Sequence, residues 1–110
     1  MASKQYKLKY LPHFERDLDE IVGYITFQLA NPTAAMDLVN DIESAILERL
    51  NNPLSFEAFP SKRNRQYPYY RIYVNNFTIY YVVIDDVIEV RRILYNKRNA
   101  NNIIKWDIII

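Results

Sequence analysis

The chain has 110 residues, half of them hydrophobic, and a formal net charge of +1, which suits one compact domain and is too short for two. It has no cysteine, so disulfides, thiolate nucleophiles and thiolate metal sites are excluded. Its one glycine, Gly23, excludes a glycine-rich phosphate loop or a dinucleotide-binding fingerprint. We therefore expect a single domain over residues 1–110 that uses no cofactor and no metal.

Charge is unevenly distributed along the chain. Residues 1–60 carry five Lys or Arg against nine Asp or Glu, whereas residues 61–110 carry nine against four. An anion-binding face produces such an asymmetry, and so does chance clustering. The N-terminus has no apolar signal core, and no run approaches the roughly eighteen apolar residues that a membrane span needs. With the absence of cysteine, this predicts a soluble, cytoplasmic protein.

The first half of the chain predicts one strand and two helices. Residues 5–11, QYKLKYL, alternate apolar and basic side chains, as a half-buried strand does. From Pro12 to about residue 30, apolar residues recur at helical spacing, and Pro32 begins a second helix that extends to about residue 50. Because their connection is short, the two helices should form an antiparallel hairpin.

The second half predicts a loop and three strands. Residues 51–69 hold three prolines and break every period, which is typical of a loop. The runs YRIYVNN, FTIYYVVID and VIEVRRILY follow, joined by turns at 75–76 and 85–86, and residues 98–110 form an isoleucine-rich tail. The order β-α-α-β-β-β predicts an α+β domain in which a small antiparallel sheet packs on an N-terminal helical hairpin.

Strand alternation assigns the basic residues to one face of the predicted sheet. If Ile72 faces the helices, Arg71 and Tyr73 face away from them. In the last strand, an inward Val90 leaves the following residues facing away: Glu89, Arg91, Ile93 and Tyr95. Arg92 then points toward the helices, unless a β-bulge shifts the alternation. We therefore expect an uncovered face on which two arginines and two tyrosines of these strands lie together.

These segments together resemble the RelE/ParE superfamily of toxins from bacterial toxin–antitoxin systems. The matching stretches are YLPHFERDLDEIVGYI, NPTAAMDLVNDIESAI, YYRIYVNNFTIYYVV and VIEVRRILYNKR, within a span from residue 6 to about residue 104. The resemblance implies the fold predicted above and a cognate antitoxin that wraps around the toxin. Members that resemble RelE cut mRNA in the ribosomal A site, whereas those that resemble ParE poison DNA gyrase.

The resemblance also implies which residues form the site. The basic residue that RelE-like nucleases carry in the loop before the middle hairpin corresponds to Lys62, with Arg63 and Arg65 beside it. The arginine that opens their second strand corresponds to Arg71, and the arginine after their last strand corresponds to Arg98. We expect this loop and the last arginine to close over the uncovered face.

The end of the last strand matches the superfamily only in part. Arg91 and Tyr95 have the spacing of an arginine and a histidine in related nucleases, so Tyr95 stands where many relatives have histidine. Ile104 falls about where a RelE-type enzyme has its C-terminal tyrosine. The chain has one histidine, His13, at the start of the first helix, which excludes a mechanism with two histidines.

Metal-free RNA cleavage needs a base for the 2′-hydroxyl, an acid for the leaving 5′-oxygen, and cations for the phosphorus centre. The catalytic residues that we predict are Lys62 as the base, Tyr95 as the acid or a stacking residue, and Arg71, Arg91 and Arg98 as the cations. Arg63, Arg65 and Tyr73 are the predicted RNA-binding residues. The alternatives are a plain solvated loop for the loop cations and cross-strand packing for Tyr95.

Three functions stay open on the sequence alone. The cations favour a ribosome-dependent mRNA endonuclease that inhibits translation, whereas the lack of a histidine pair and the mild net charge favour a gyrase poison without chemistry of its own. A degenerate toxin that only binds antitoxin is the third. The expected partners are a cognate antitoxin and either the ribosome with mRNA or DNA gyrase, without a membrane. The isoleucines at 108–110 predict a tail that docks back on the domain or is covered by a partner.

Overall fold

A computed structural model of the chain describes residues 5–60 and 66–96. The elements in chain order are strand β1 (Lys7–Tyr10), helix α1 (Pro12–Gly23), a π-helical turn (Tyr24–Gln28), helix α2 (Pro32–Arg49), and strands β2 (Tyr70–Val74), β3 (Phe77–Ile84) and β4 (Val87–Tyr95). This order confirms the predicted α+β fold class. Within the described residues, no helix has both the length and the apolar content that crossing a membrane requires.

Both helices begin at a proline, but the first is not continuous to residue 30. Before α2, the side-chain oxygen of Asn31 accepts a hydrogen bond from the backbone N–H of Ala34 at 3.1 Å. After α1, the backbone N–H of Leu29 donates to the carbonyl of Tyr24 at 3.0 Å, the i to i−5 bond of a π-helix. Ala30 then adopts a left-handed φ of 49°, so the helical repeat ends there.

The four strands form one sheet in the order β1-β4-β3-β2. The predicted meander is present, because β2 pairs antiparallel with β3 and β3 pairs antiparallel with β4. Strand β1, however, pairs parallel with β4, so the sheet is mixed rather than wholly antiparallel. The alternation in β1 shows which side chains are buried, but it carries no information about the direction of a neighbouring strand.

The sheet buries apolar side chains on both faces. On the inner face, which packs on the helices, the main core joins Phe14, Leu38, Ile42 and Ile46 to strand residues such as Ile79 and Val90. On the outer face, a second cluster of Tyr69, Tyr80, Val82 and Leu94 is covered by Phe59 and Tyr67 from the loop before β2. The face that we expected to be uncovered is therefore partly covered by this loop.

A β-bulge in β4 changes which of its side chains face the helices. Val90 lies opposite Tyr81 and Arg92 lies opposite Tyr80, so Arg91 is an extra residue between two consecutive pairs. Beyond the bulge the alternation is reversed. The prediction that Ile93 faces away from the helices is wrong, because its side chain is 1% exposed within the main core.

Arg49, at the end of α2, ties that helix to the sheet. Its Nη1 donates hydrogen bonds to the carbonyl oxygen of Arg71 at 2.9 Å and to the hydroxyl of Tyr81 at 3.0 Å. The hydroxyl of Tyr81 in turn donates to the carbonyl of Pro53 at 2.7 Å. Burial raises the pKa of Tyr81, although the hydrogen bond from Arg49 lowers it in part, so this hydroxyl stays protonated at neutral pH.

We expect Tyr81→Phe to lower the free energy of unfolding by about 1–2 kcal/mol, because it removes the donor to the buried Pro53 carbonyl and one of the two acceptors of Arg49 Nη1. Tyr73→Phe is the matched control, since Tyr73 is 65% exposed; its effect should lie within about 0.5 kcal/mol of zero. Urea denaturation followed by circular dichroism measures both variants. Equal stability of the two would show that the hydrogen-bonded hydroxyl of Tyr81 does not contribute.

Candidate functional site

Arg71 lies on the outer face of β2, opposite Tyr80, on an aromatic surface. The carbon of its guanidinium is 5.2 Å from the ring centroid of Phe59 and 5.9 Å from that of Tyr73, within the range of cation–π attraction. Tyr73 is on this face, as predicted, and is strongly exposed. Within residues 5–60 and 66–96, no carboxylate forms an ion pair with Arg71.

Arg91, the extra residue of the bulge, is already paired. Its Nη2 is 2.8 Å and its Nε 2.9 Å from Oε1 of Glu89, and its Nη1 donates to the hydroxyl of Tyr69 at 3.3 Å. Burial alone would lower the pKa of Arg91, but its contacts with Tyr69 and Glu89 outweigh burial and raise that pKa. The positive charge predicted here is therefore largely balanced by Glu89.

Arg92 forms a two-point ion pair with Asp17 of α1. Its Nε is 2.7 Å from Oδ2 and its Nη2 is 2.9 Å from Oδ1 of the carboxylate. Asp17 Oδ2 also accepts a hydrogen bond from the backbone N–H of Ile93 at 3.1 Å. Strand β1 ends at Tyr10, which pairs with Val90. Beyond that point no strand among the described residues pairs with this edge of β4, and Asp17 bonds to it instead.

Tyr95 does not share a face with the arginines, so that prediction is wrong. It lies opposite Phe77, and the two ring centroids are 5.6 Å apart. It lines a groove together with Ile21 and Tyr24 from the helical side of the sheet. The physical reason is the bulge at Arg91, since one extra residue turns every later side chain of the strand to the opposite face.

The remaining residues of the predicted site belong to the loop before β2 and to the segment after β4. Lys62, Arg63, Arg65 and Arg98 lie outside the described residues, as does Ile104. The candidate site that the structure describes therefore consists of Arg71 on its aromatic surface, with the paired Arg91 beside it.

Sequence reasoning missed the carboxylates that pair with the basic strand end. Glu89 is two residues before Arg91, and this spacing puts both side chains on one face of a strand, so it was a usable local signal. Asp17 is 75 residues from Arg92, and nothing in the local sequence links the two. Phe59, which stacks near Arg71, lies in a loop with no periodic pattern to place it.

The outer face suits binding better than proton transfer. Burial raises the pKa of the Tyr80 phenol. The Arg71 guanidinium lowers this pKa in part and Tyr73 raises it, and the net shift is upward, so the phenol is neutral at physiological pH. A guanidinium on aromatic rings contacts phosphate or carboxylate oxygens and flat rings, but it supplies no base. The described part of this face therefore holds an anion more readily than it transfers a proton.

The fold and this basic, aromatic sheet face define a small toxin-like α+β domain. The family described as "ParE toxin of type II toxin-antitoxin system, parDE" matches residues 8–100. The chain therefore belongs to the ParE toxin family of type II toxin–antitoxin systems, within the RelE/ParE superfamily that its sequence resembles. Comparison with curated protein sequences gives no significant match.

Solved structures support the fold. A chain of the chromosomal ParDE system from P. aeruginosa is 22% identical, with 84% of this chain and 98% of that chain covered and a TM-score of 0.67. A chain of the archaeal RelE–RelB complex from Pyrococcus horikoshii OT3 is 15% identical, with coverages of 86% and 98% and a TM-score of 0.57. A chain of the E. coli DinJ–YafQ toxin–antitoxin complex is 12% identical, with 83% of this chain and 92% of that chain covered and a TM-score of 0.52.

We expect Glu89→Gln to strengthen the binding of a short single-stranded oligonucleotide by about 0.5–1 kcal/mol, because it frees Arg91 to contact a phosphate. Glu43→Gln, on the exposed face of α2, changes the net charge equally and is the control. Fluorescence anisotropy at several salt concentrations measures both variants. If they bind equally, the gain comes from net charge and Arg91 is not part of the ligand-binding face.

Proposed function

We propose that this toxin acts as a ParE-like poison that binds DNA gyrase through its outer sheet face, without chemistry of its own. The observation that carries the proposal is the position of Tyr95, which lines a groove beside the helices instead of facing the same side as Arg71. A general acid must lie within hydrogen-bond reach of the group that it protonates. The described outer face offers Arg71 for binding, and burial raises the pKa of the Tyr80 phenol, which keeps it neutral.

The pairing of the neighbouring arginines supports the same proposal. Glu89 balances Arg91, and Asp17 balances Arg92, so two of the three basic residues in β2 and β4 already have a carboxylate. A site for a pentavalent phosphorus centre uses several cations with charge to spare. A mixed surface of paired charges and exposed aromatic rings is typical of the rim and core of protein–protein interfaces.

We propose a cognate antitoxin as the second partner. The similar structures named above bear the names of toxin–antitoxin systems and complexes. An acidic, amphipathic segment would complement Arg71 electrostatically and cover the exposed ring of Tyr73. Both this partner and gyrase are cytoplasmic, so cytoplasmic localisation is part of the proposal.

The second candidate function is a ribosome-dependent, metal-independent mRNA endonuclease. Arg71 favours it, because an arginine beside exposed aromatic rings is a common way of holding single-stranded nucleic acid. In this candidate, Lys62 acts as the base, Arg71, Arg91 and Arg98 stabilise the phosphorus centre, and Tyr95 is the acid. Arg63, Arg65 and Tyr73 bind the RNA.

Brief induction in cells separates the two candidates. We expect an SOS response and stabilised gyrase–DNA complexes, without codon-positioned breaks in mRNA. Breaks at fixed codon positions, seen by primer extension in the absence of gyrase–DNA complexes, would overturn the gyrase proposal in favour of the endonuclease. If neither effect appears while antitoxin still binds, the chain is a degenerate toxin, and the gyrase and endonuclease candidates both fail.

Tyr95→Phe gives a sharper distinction, because it keeps the ring that contacts Phe77 and removes only the hydroxyl. We expect toxicity to stay at the wild-type level, since a gyrase poison has no use for an acid at this position. Toxicity is scored as colony-forming units after induction, with protein levels matched by immunoblot. A drop of about a hundredfold, the scale of a lost general acid, would contradict the proposal.

Arg71→Ala should lower toxicity under the gyrase proposal, because it removes the charge and the stacked guanidinium that a partner would contact. Arg16→Ala, which removes an exposed charge from α1, is the matched control and should leave toxicity unchanged. Pull-down of gyrase by the two variants locates the effect. If Arg71→Ala retains both toxicity and gyrase binding, the outer face is not the binding surface.

A further inference from the structure

A groove of about 750 Å³ lies between the helical hairpin and the end of the sheet, on the side away from Arg71. Its apolar lining is made by Ile21, Tyr24, Ile25, Leu29, Phe77 and Tyr95. Tyr24 and Leu29 are each 56% exposed, which is high for large apolar side chains that lie together. Such a surface is typical of one that another segment covers.

We propose that this groove binds residues 103–110 of the same chain. The first reason is the point at which the chain leaves β4. Tyr95 lines the groove, and the backbone N–H of Asn96 donates to the carbonyl of Asn76, another groove residue, at 2.9 Å. The segment that follows Asn96 therefore starts at the rim of the groove, so docking closes only a short loop and costs little chain entropy.

The length and composition of that segment fit the groove. Fourteen residues follow Asn96 in the sequence, and five of them are isoleucine and one is Trp106. Six residues lie between Asn96 and Ile103, and the seven steps from one to the other span up to about 23 Å when extended, which is ample for a return into a groove that begins beside Asn96. Burying these isoleucine and tryptophan side chains in an apolar groove is favourable, because it removes apolar surface from water.

Charge complementarity points to the same occupant. The groove has an acidic side formed by Asp17 and Glu20. Asp17 is paired with Arg92, whereas Glu20 is exposed. Lys105 lies between Ile104 and Trp106 in the segment, where a docked chain brings a cation near this carboxylate. The proposal does not depend on which target the toxin has.

Trp106 is the only tryptophan of the chain, so its fluorescence reports on the segment directly. In the purified full-length chain without antitoxin, we expect its emission to be shifted to the blue and its quenching by acrylamide to be several-fold weaker than in the guanidinium-unfolded chain. Both values should be independent of protein concentration. Leu29→Glu, which places a charge in the groove, should return the emission and the quenching most of the way to the unfolded values.

Leu47→Glu is the matched control, because Leu47 is 57% exposed on α2 and does not line the groove; it should leave Trp106 protected. Circular dichroism checks that each variant is folded. If Leu29→Glu does not fold, Glu20→Lys serves instead, since it reverses a surface charge and should weaken protection by repelling Lys105.

Three outcomes would overturn the proposal. The first is equal acrylamide quenching of Trp106 in the folded and unfolded chains, or emission and quenching that neither groove variant changes. The second is protection that appears only as protein concentration rises, which would assign the groove to a second copy. The third is protection that appears only after antitoxin is added, which would assign it to that partner.

Discussion

The extra residue in β4 is the feature on which the rest of the sheet depends. Because Arg91 is inserted between two consecutive pairs, Val90 and Ile93 both reach the inner core, although strict alternation would put them on opposite faces. Asp17 stabilises this arrangement from the side, by accepting hydrogen bonds from the backbone of Ile93 and from Arg92. Its loss would remove the carboxylate from a largely buried guanidinium and the acceptor from the backbone N–H of Ile93, which costs more than the ion pair gains in forming.

The same insertion determines the electrostatics of the outer face. The inserted Arg91 is paired with Glu89 and contacts Tyr69, and Arg92, the residue after it, reaches past the end of β1 to Asp17. A strand end that looks strongly basic in sequence is therefore close to neutral in the folded domain. Arg71 is different, because its neighbours are aromatic rings, which attract its charge without cancelling it.

The parts of the fold that could be predicted from the sequence depend on local signals. Pro12 and Pro32 begin the helices, and the turns after β2 and β3 place Asn75 and Asp85 at positive φ, which these residue types tolerate. The parts that could not be predicted depend on distant contacts. The direction of β1 relative to β4 and the support of the Arg91 bulge by Asp17 form only when both ends of the chain meet.

The bulge also changes what a tyrosine in place of a histidine means. On sequence alone, Tyr95 looks like a catalytic position at which tyrosine replaces histidine, and the question is whether a phenol can act as the acid there. In the folded chain, any residue at this position faces the helices and contacts the region of Phe77. Arg71 lies on the opposite face of the sheet and on β2, with β3 between it and β4; because neighbouring strands lie about 4.8 Å apart, the two strands are separated by about 10 Å, well beyond the reach of a hydrogen bond. The strand phase, rather than the loss of an imidazole, therefore separates position 95 from an anion held by Arg71.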